Sequence, residues 1–170
     1  MVTDLAAANH YKLEHLQSPA IWSQVEAAQF YYVGGFHLTV SVPSILALAQ
    51  EAAAKNKTFI LNLSAPFIPQ FFKDPLDQTA PYWDYLLGNE NEVLAYAESH
   101  GIATKNVSEI AKAIAALPGK KNTARPRTMV ITQGTDPTVV AIGKGSEVEI
   151  REFPVHAIEA EKICDTNGAG

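Results

Sequence analysis

A single cysteine, Cys164, stands in a chain of 170 residues. No disulfide can form within it, and such sparing use fits a reducing compartment. No stretch approaches the run of about 18 apolar residues that a membrane-spanning helix requires. The first ten residues, MVTDLAAANH, have neither the basic segment nor the apolar run of a secretory signal. Positive charge is also scarce. Against 18 Asp and Glu there are 13 Lys and Arg, a formal net charge of -5, whereas a general nucleic-acid binder clusters basic residues on one face. The one close basic group, Lys120, Lys121, Arg125 and Arg127, lies in a stretch punctuated by Pro and Gly and reads as a solvated loop. Asn-x-Ser/Thr triplets at Asn56, Asn62 and Asn106 lack a secretory context and read as chance matches. The expectation is a soluble intracellular protein with no nucleic-acid or membrane partner.

What is present suits a packed α/β core. Hydrophobic residues make up 47% of the chain and charged residues 18%, and the length fits one domain. The runs Ala28 to Val33, Thr58 to Leu63, Tyr82 to Leu87 and Thr128 to Thr132 are aromatic or β-branched and read as strands. Between them, Ile45, Leu48, Ala49 and Ala52 fall on one helical face within Ser44 to Lys55. Helices are also expected from Asn89 to His100, stopping at Gly101, and from Val107 to Leu117, stopping at Pro118-Gly119. The segment SAPFIPQFF, with two prolines, reads as irregular or briefly helical. TVVAI and EVEIREF, joined through Gly143-Lys144-Gly145, read as an antiparallel hairpin. The alternation predicts an α/β fold, a mostly parallel sheet with helices on both faces and a terminal hairpin.

In such sheets ligands sit beyond the carboxyl ends of the strands, which directs attention to four places. In LGNENEV, Asn89 and Glu92 have the spacing of a capping box, and also that of a polar pair orienting water around a metal ion or phosphate at a helix start. In TQGTDPT, Gly134 and Asp136-Pro137 suit a plain turn. The alternative is a phosphate approaching Gly134, with Thr132 or Gln133 donating to it. Phe36 and Phe67 each follow a strand, so they are either core aromatics or a pair around a flat ring such as a purine. His37 beside Phe36 reads as a packing histidine. Lastly, the terminal DTNGAG is either a loose end or a concave nest of amides for an anion.

Taken together, LAAAN, VGGFHLTVSVPS, LNLSAPFIPQFF, GNENE, ITQGTDPTVV and ICDTNGAG resemble the PfkB (ribokinase-like) carbohydrate kinases, in their order, from about Asp4 to Gly170. Within that family the series is similar to the fungal form of the purine-nucleoside branch. The resemblance implies transfer of the γ-phosphate of ATP, with Mg2+, to the 5′-hydroxyl of adenosine. It implies that Phe36, Phe67 and Asn167 bind the nucleoside, and that Gln133, Gly134 and Asn89 serve ATP and its phosphates. Glu92 and Asn89 would hold the metal indirectly through water. Gly168, Ala169 and Gly170 would be the anion hole for the migrating phosphoryl group, and His37 receives no catalytic role. A cytoplasmic and also nuclear location, and a monomeric intact enzyme, are further implications. The rival within the family is a kinase for a sugar or another nucleoside; outside it, a nucleotide-binding fragment without turnover.

In the family an aspartate follows the Gly-Ala-Gly and accepts the hydroxyl proton, and a lid with most ribose contacts lies toward the N-terminus. Here the sequence ends at Gly170 and starts beyond the lid. The resemblance therefore implies the central and C-proximal part of the large domain over 1–170, truncated at both ends. A positioned base is worth about 10²–10⁴-fold in rate, so the 170 residues alone are expected to be inactive.

Overall fold

A computed structural model describes residues 5–156 and 158–164. After two short helices, α1 (Leu13–Leu16) and α2 (Pro19–Ala27), the chain alternates strand and helix. β1 (Phe30–Gly34) is followed by α3 (Val42–Ala54), and β2 (Thr58–Asn62) by α4 (Phe67–Phe71) and α5 (Lys73–Thr79). β3 (Tyr85–Asn89) leads into α6 (Glu90–Ser99) and α7 (Val107–Ala115), and β4 (Thr128–Gln133), β5 (Asp136–Lys144) and β6 (Glu147–Phe153) complete a six-stranded sheet. Spatial order equals chain order; β1 to β4 run parallel, and β5 and β6 antiparallel. The expected parallel sheet and terminal hairpin are thus both present.

Local chemistry accounts for most boundaries. Asn89 and Asn106 accept from the N3 amides of α6 and α7, which satisfies orphan first-turn donors. Gly101, directly after the C-cap His100 of α6, takes φ of 67°, the left-handed conformation that ends helices cheaply, whereas α7 ends at Ala115, two residues short of the expected Leu117. The third strand starts later than the aromatic run Tyr82 to Leu87 suggested. Ala80–Tyr82 form a 3₁₀ turn, and the fully buried Trp83 donates from Nε1 to Thr79 Oγ1 at 2.9 Å, so this indole belongs to the core. SAPFIPQFF contains α4, and α5 beyond it was not foreseen.

The sheet is stepped through in one direction by parallel crossovers. Crossovers of the single hand that such units adopt place every connecting helix on the same face. That face carries Tyr31, Val33, Phe59, Leu61, Leu86, Met129, Ile131, Val139 and Ala141, all buried in one core with Ile45, Ala49, Val93, Ile110 and Ile114. On the opposite face Phe30 is 70% exposed and Tyr32 61% exposed. The second helical layer expected from the sequence is therefore not found among the described residues. Apolar residues on both strand faces are the ground for expecting helices on both, and among the described residues helices cover only one. No described helix is long and apolar enough to cross a membrane.

The basic group also departs from expectation. Lys121 alone of the four is exposed, whereas Arg127 is buried and donates to the carbonyls of Leu117 and of Ala80, the latter at 2.9 Å. Arg125 donates to the carbonyls of Lys57 (2.7 Å) and Asn56 (3.0 Å), and Lys120 to the buried Asp84. These cations tie the loop after α7 to the amino ends of the strands. Their partners lie far away in the chain, so a local reading of the loop could not find them.

α5 is clipped to the end of α6. His100 Nε2 lies 2.8 Å from Asp77 Oδ1, Lys73 pairs with the same carboxylate, and the imidazole stacks on Tyr96 at 3.8 Å. Burial raises the Asp77 carboxyl, but the bonds from Lys73 and His100 outweigh it and hold it below its ordinary value. A depressed carboxyl stabilises the fold above its unfolded value, near pH 4, and the gain is lost as pH falls through the lower folded value. Asp77→Asn is expected to lower Tm at neutral pH and to converge on wild type as pH falls from the ordinary carboxylate range through the lowered folded value. A Tm difference that stayed constant down the series would show that the charge contributes nothing.

Candidate functional site

Because β1 to β4 are parallel neighbours, their carboxyl ends share one edge of the sheet. In register, Gly34 stands opposite Asn62, and Asn89 opposite Thr132. The loops after β1, β2, β3 and β4, which carry Phe36, Phe67, Asn89 with Glu92, and Gln133 with Gly134, therefore form one crest. It has two sides, the ends of β1 and β2 and the ends of β3 and β4, which lie about 5 Å apart per strand step.

On the first side the loops bear the aromatic pair. Phe36 and Phe67, both half-buried, meet with ring centroids 5.6 Å apart and planes at 68°, and Phe72 stands behind Phe67 at 6.3 Å. This is an edge-to-face contact between touching rings, so no flat ligand lies between them. The pair forms a corner wall rather than a sandwich. The loops approach closely because position 35 has no side chain. A Cβ there would lie 2.4 Å from the Leu63 carbonyl oxygen and 2.7 Å from that of Asn62. His37 packs edge-on to Tyr11 at 5.4 Å, and burial lowers its pKa, in keeping with a packing role.

On the second side, Asn89 and Glu92 form a complete capping box. The Glu92 N–H donates to Asn89 Oδ1 at 2.9 Å. The Asn89 N–H donates to Glu92 Oε2 at 3.0 Å, and Asn89 Nδ2 to Glu92 Oε1 at 3.1 Å. Glu92 is 5% exposed. Burial raises its pKa, the bond from the Asn89 backbone opposes this, and the neighbouring Glu90 adds to the rise. Each carboxylate oxygen keeps a second acceptor direction beyond its bond to Asn89, which suits contact through water.

Next to this pair the β4–β5 turn carries Gln133, whose Nε2 donates to the Pro137 carbonyl at 2.6 Å and clasps the turn. Gly134 has φ of 59°, with nothing within 4 Å of where a Cβ would stand, so its backbone is open to an approaching group. The ladder shifts register between Ile131 and Gln133, an irregularity of the kind that often borders sites. Asn167, Gly168, Ala169 and Gly170 lie outside the described residues. Among the described residues no group of three or more His, Cys, Asp or Glu could hold a metal ion. A groove of about 900 Å³, lined by Pro66, Gln70, Asn91, Glu98 and Lys105 among others, opens on the helical side, and neither pair lines it.

One crest residue escaped the sequence reading. Ser64 has φ of 66°, and its hydroxyl accepts from the Gly35 N–H at 2.8 Å. Ser and Asn are common in turns, but nothing in NLSAP marks a serine as left-handed.

A parallel α/β sheet whose carboxyl-end loops gather an aromatic corner beside a helix-capping carboxylate belongs to the class that holds ligands at strand ends. The pfkB family carbohydrate kinase model matches residues 1–170, and the chain belongs to that family. It is 50% identical over 170 residues to an adenosine kinase of Schizosaccharomyces pombe, covering all of this chain and 48% of that protein. Among solved structures it is similar to Anopheles gambiae adenosine kinase in complex with P1,P4-di(adenosine-5) tetraphosphate. The TM-score is 0.91 at 47% identity, covering 96% of this chain and 47% of the other. A Schistosoma mansoni adenosine kinase in complex with adenosine follows with a TM-score of 0.86 at 37% identity, covering 96% and 47%. The chain thus spans about half the length of the curated relatives it matches, and the sheet is ribokinase-like.

Proposed function

We propose that this chain carries the nucleoside wall and phosphate-end loops of an adenosine kinase. The whole protein would transfer the γ-phosphoryl group of ATP to the 5′-hydroxyl of adenosine, giving AMP and ADP. The observation that carries this is the two-sided crest, with the Phe36–Phe67 corner at the ends of β1 and β2 and the Asn89–Glu92 pair at the end of β3. An acceptor resting on the corner would present its hydroxyl toward a phosphate lying across β3 and β4. The similarity to kinases whose solved structures hold adenosine or a diadenosine tetraphosphate supports the same assignment.

In the reaction an oxygen–phosphorus bond forms at O5′, the bond from the γ-phosphorus to ADP breaks, and the hydroxyl proton leaves to a base that is not among the described residues. Positioning and electrostatics dominate such transfers. Phe36 and Phe67 would fix the base against the sheet edge. The open backbone at Gly134, with Gln133, would border the phosphates of ATP, and Asn167 with the amides of Gly168, Ala169 and Gly170 would receive the migrating group. The donor set at Glu92 fits Mg2+ only at one remove, because a single buried carboxylate engaged by Asn89 suits a metal that keeps its own waters. When bound, that ion neutralises charge on the phosphate oxygens. The 170 residues would then be part of the large domain of the intact kinase.

The test is a substrate panel on the full-length gene product. Adenosine is expected to be converted to AMP with stoichiometric ADP, and ribose or fructose left unreacted. Turnover of either sugar without turnover of adenosine overturns the proposal.

A further inference from the structure

We infer that Ser64 is a positioning residue that sets the corner between Phe36 and Phe67, an inference whose ligand, though not its geometry, rests on the adenosine reading above. Ser64 sits in the left-handed region, φ 66°, which L side chains adopt only at a cost. Two bonds hold it there. The Ser64 N–H donates to Asn62 Oδ1 at 2.8 Å, and the Ala65 N–H donates to the Leu63 carbonyl at 2.8 Å. In that conformation its hydroxyl accepts from the Gly35 N–H at 2.8 Å and donates to the Asn62 carbonyl at 3.3 Å.

The hydroxyl thus joins loops that are 29 positions apart in sequence. One loop continues directly into Phe36, and the other reaches Phe67 three residues on. The gap it spans is closed from the other side by backbone packing, since Gly35 lies against the carbonyls of Asn62 and Leu63. Hydroxyl, amide and glycine together leave the loops no freedom to slide, and the angle between the rings follows from that. A turn that needed only a positive φ would be served by glycine at no strain. What glycine cannot supply is the acceptor for Gly35. Strain kept beside a ligand-bearing loop, where a cheaper residue exists, points to the side chain as the reason.

Ser64→Gly relieves the strain and removes the hydroxyl; Ser64→Ala removes the hydroxyl and keeps the strain. In the full-length protein both are expected to raise KM for adenosine about tenfold, the equivalent of one hydrogen bond, with KM for ATP unchanged. Ser64→Gly is expected to match or exceed wild type in Tm, a split that a purely structural residue would not produce. A second readout does not depend on turnover: ring-to-ring NOEs between Phe36 and Phe67 should weaken in Ser64→Gly, while those around Trp83 persist. Unchanged Phe36–Phe67 NOEs, or KM rising equally for both substrates, overturn the inference. If wild type phosphorylates a sugar and not adenosine, the functional reading fails, and the NOE result alone decides the role of Ser64.

Discussion

Asp84→Ala is expected to cost about 3–5 kcal/mol of folding stability. At about 2–4 °C per kcal/mol for a chain of this size, Tm should fall by about 6–20 °C. Asp84 is 1% exposed. One carboxylate oxygen accepts from Lys120, and the other from the Phe59 N–H at 2.9 Å and from Arg125 at 3.3 Å. Its backbone bridges the same strands, donating to the Phe59 carbonyl at 3.0 Å and accepting from Thr128 at 2.8 Å. The carboxylate therefore pins β2, β3 and the loop before β4 at the end of the sheet opposite the candidate site. Its removal leaves two cations and an amide facing a cavity. The cost arises from these stranded partners more than from the lost attraction, because a buried pair roughly breaks even against an apolar replacement. Two further variants separate these origins. Asp84→Asn keeps an acceptor for Phe59 and should fall between wild type and alanine. Adding Lys120→Met to Asp84→Ala should recover part of the loss, a coupling that a double-mutant cycle measures. Urea unfolding that placed Asp84→Ala within about 1 kcal/mol of wild type would show that water already screens the network.

Asp84 also illustrates why some of the structure was legible in the sequence and some was not. Features written in local spacing were readable. Asn89 and Glu92 stand three apart before an apolar run, and they make the box that this spacing describes. Gly101 stops α6 where a missing Cβ allows it, and Gly134 turns β4 into β5, while α7 ends at Ala115, ahead of the Pro118-Gly119 expected to stop it. The location of the crest followed from topology alone, because parallel strands put every following loop on one edge. Features set by distant partners were not readable. Lys120, Arg125 and Arg127 have the composition of a solvated loop, yet they bond to Asp84, Lys57 and Ala80, between 36 and 68 positions away, and Arg127 is buried. The aromatic run at Tyr82 promised a strand, and tertiary burial of Trp83 delayed it to Tyr85. Phe36 and Phe67 are legible as a pair, but their edge-to-face angle depends on Gly35 and Ser64, whose conformations leave no trace in composition.

If Glu92 acts on Mg2+ through its waters as proposed, Glu92→Gln is expected to lower kcat of the full-length protein about 10–100-fold. The Mg2+ concentration needed for half-maximal rate should rise, and KM for adenosine should stay near wild type, since the aromatic corner lies on the other side of the crest. Glutamine completes a capping box as well as glutamate does, so Tm should move little. Asn89→Ala removes the cap itself and should cost about 1 kcal/mol in addition to its effect on rate. The pH profile supplies an independent sign. Burial raises the Glu92 carboxyl above its ordinary value, so the charged form that can attract a hydrated cation fills only as pH rises through that higher value. Rate should climb across this interval in wild type and lose the limb in Glu92→Gln. Stability runs the opposite way: the raised value favours the fold below the ordinary glutamate range, and that contribution is lost as pH rises through the folded value. A kcat limb and a stability change of opposite slope, both absent from Glu92→Gln, would assign one carboxyl to both. If Glu92→Gln leaves kcat and Mg2+ dependence untouched while Asn89→Ala lowers Tm alone, the pair is a helix cap and nothing more.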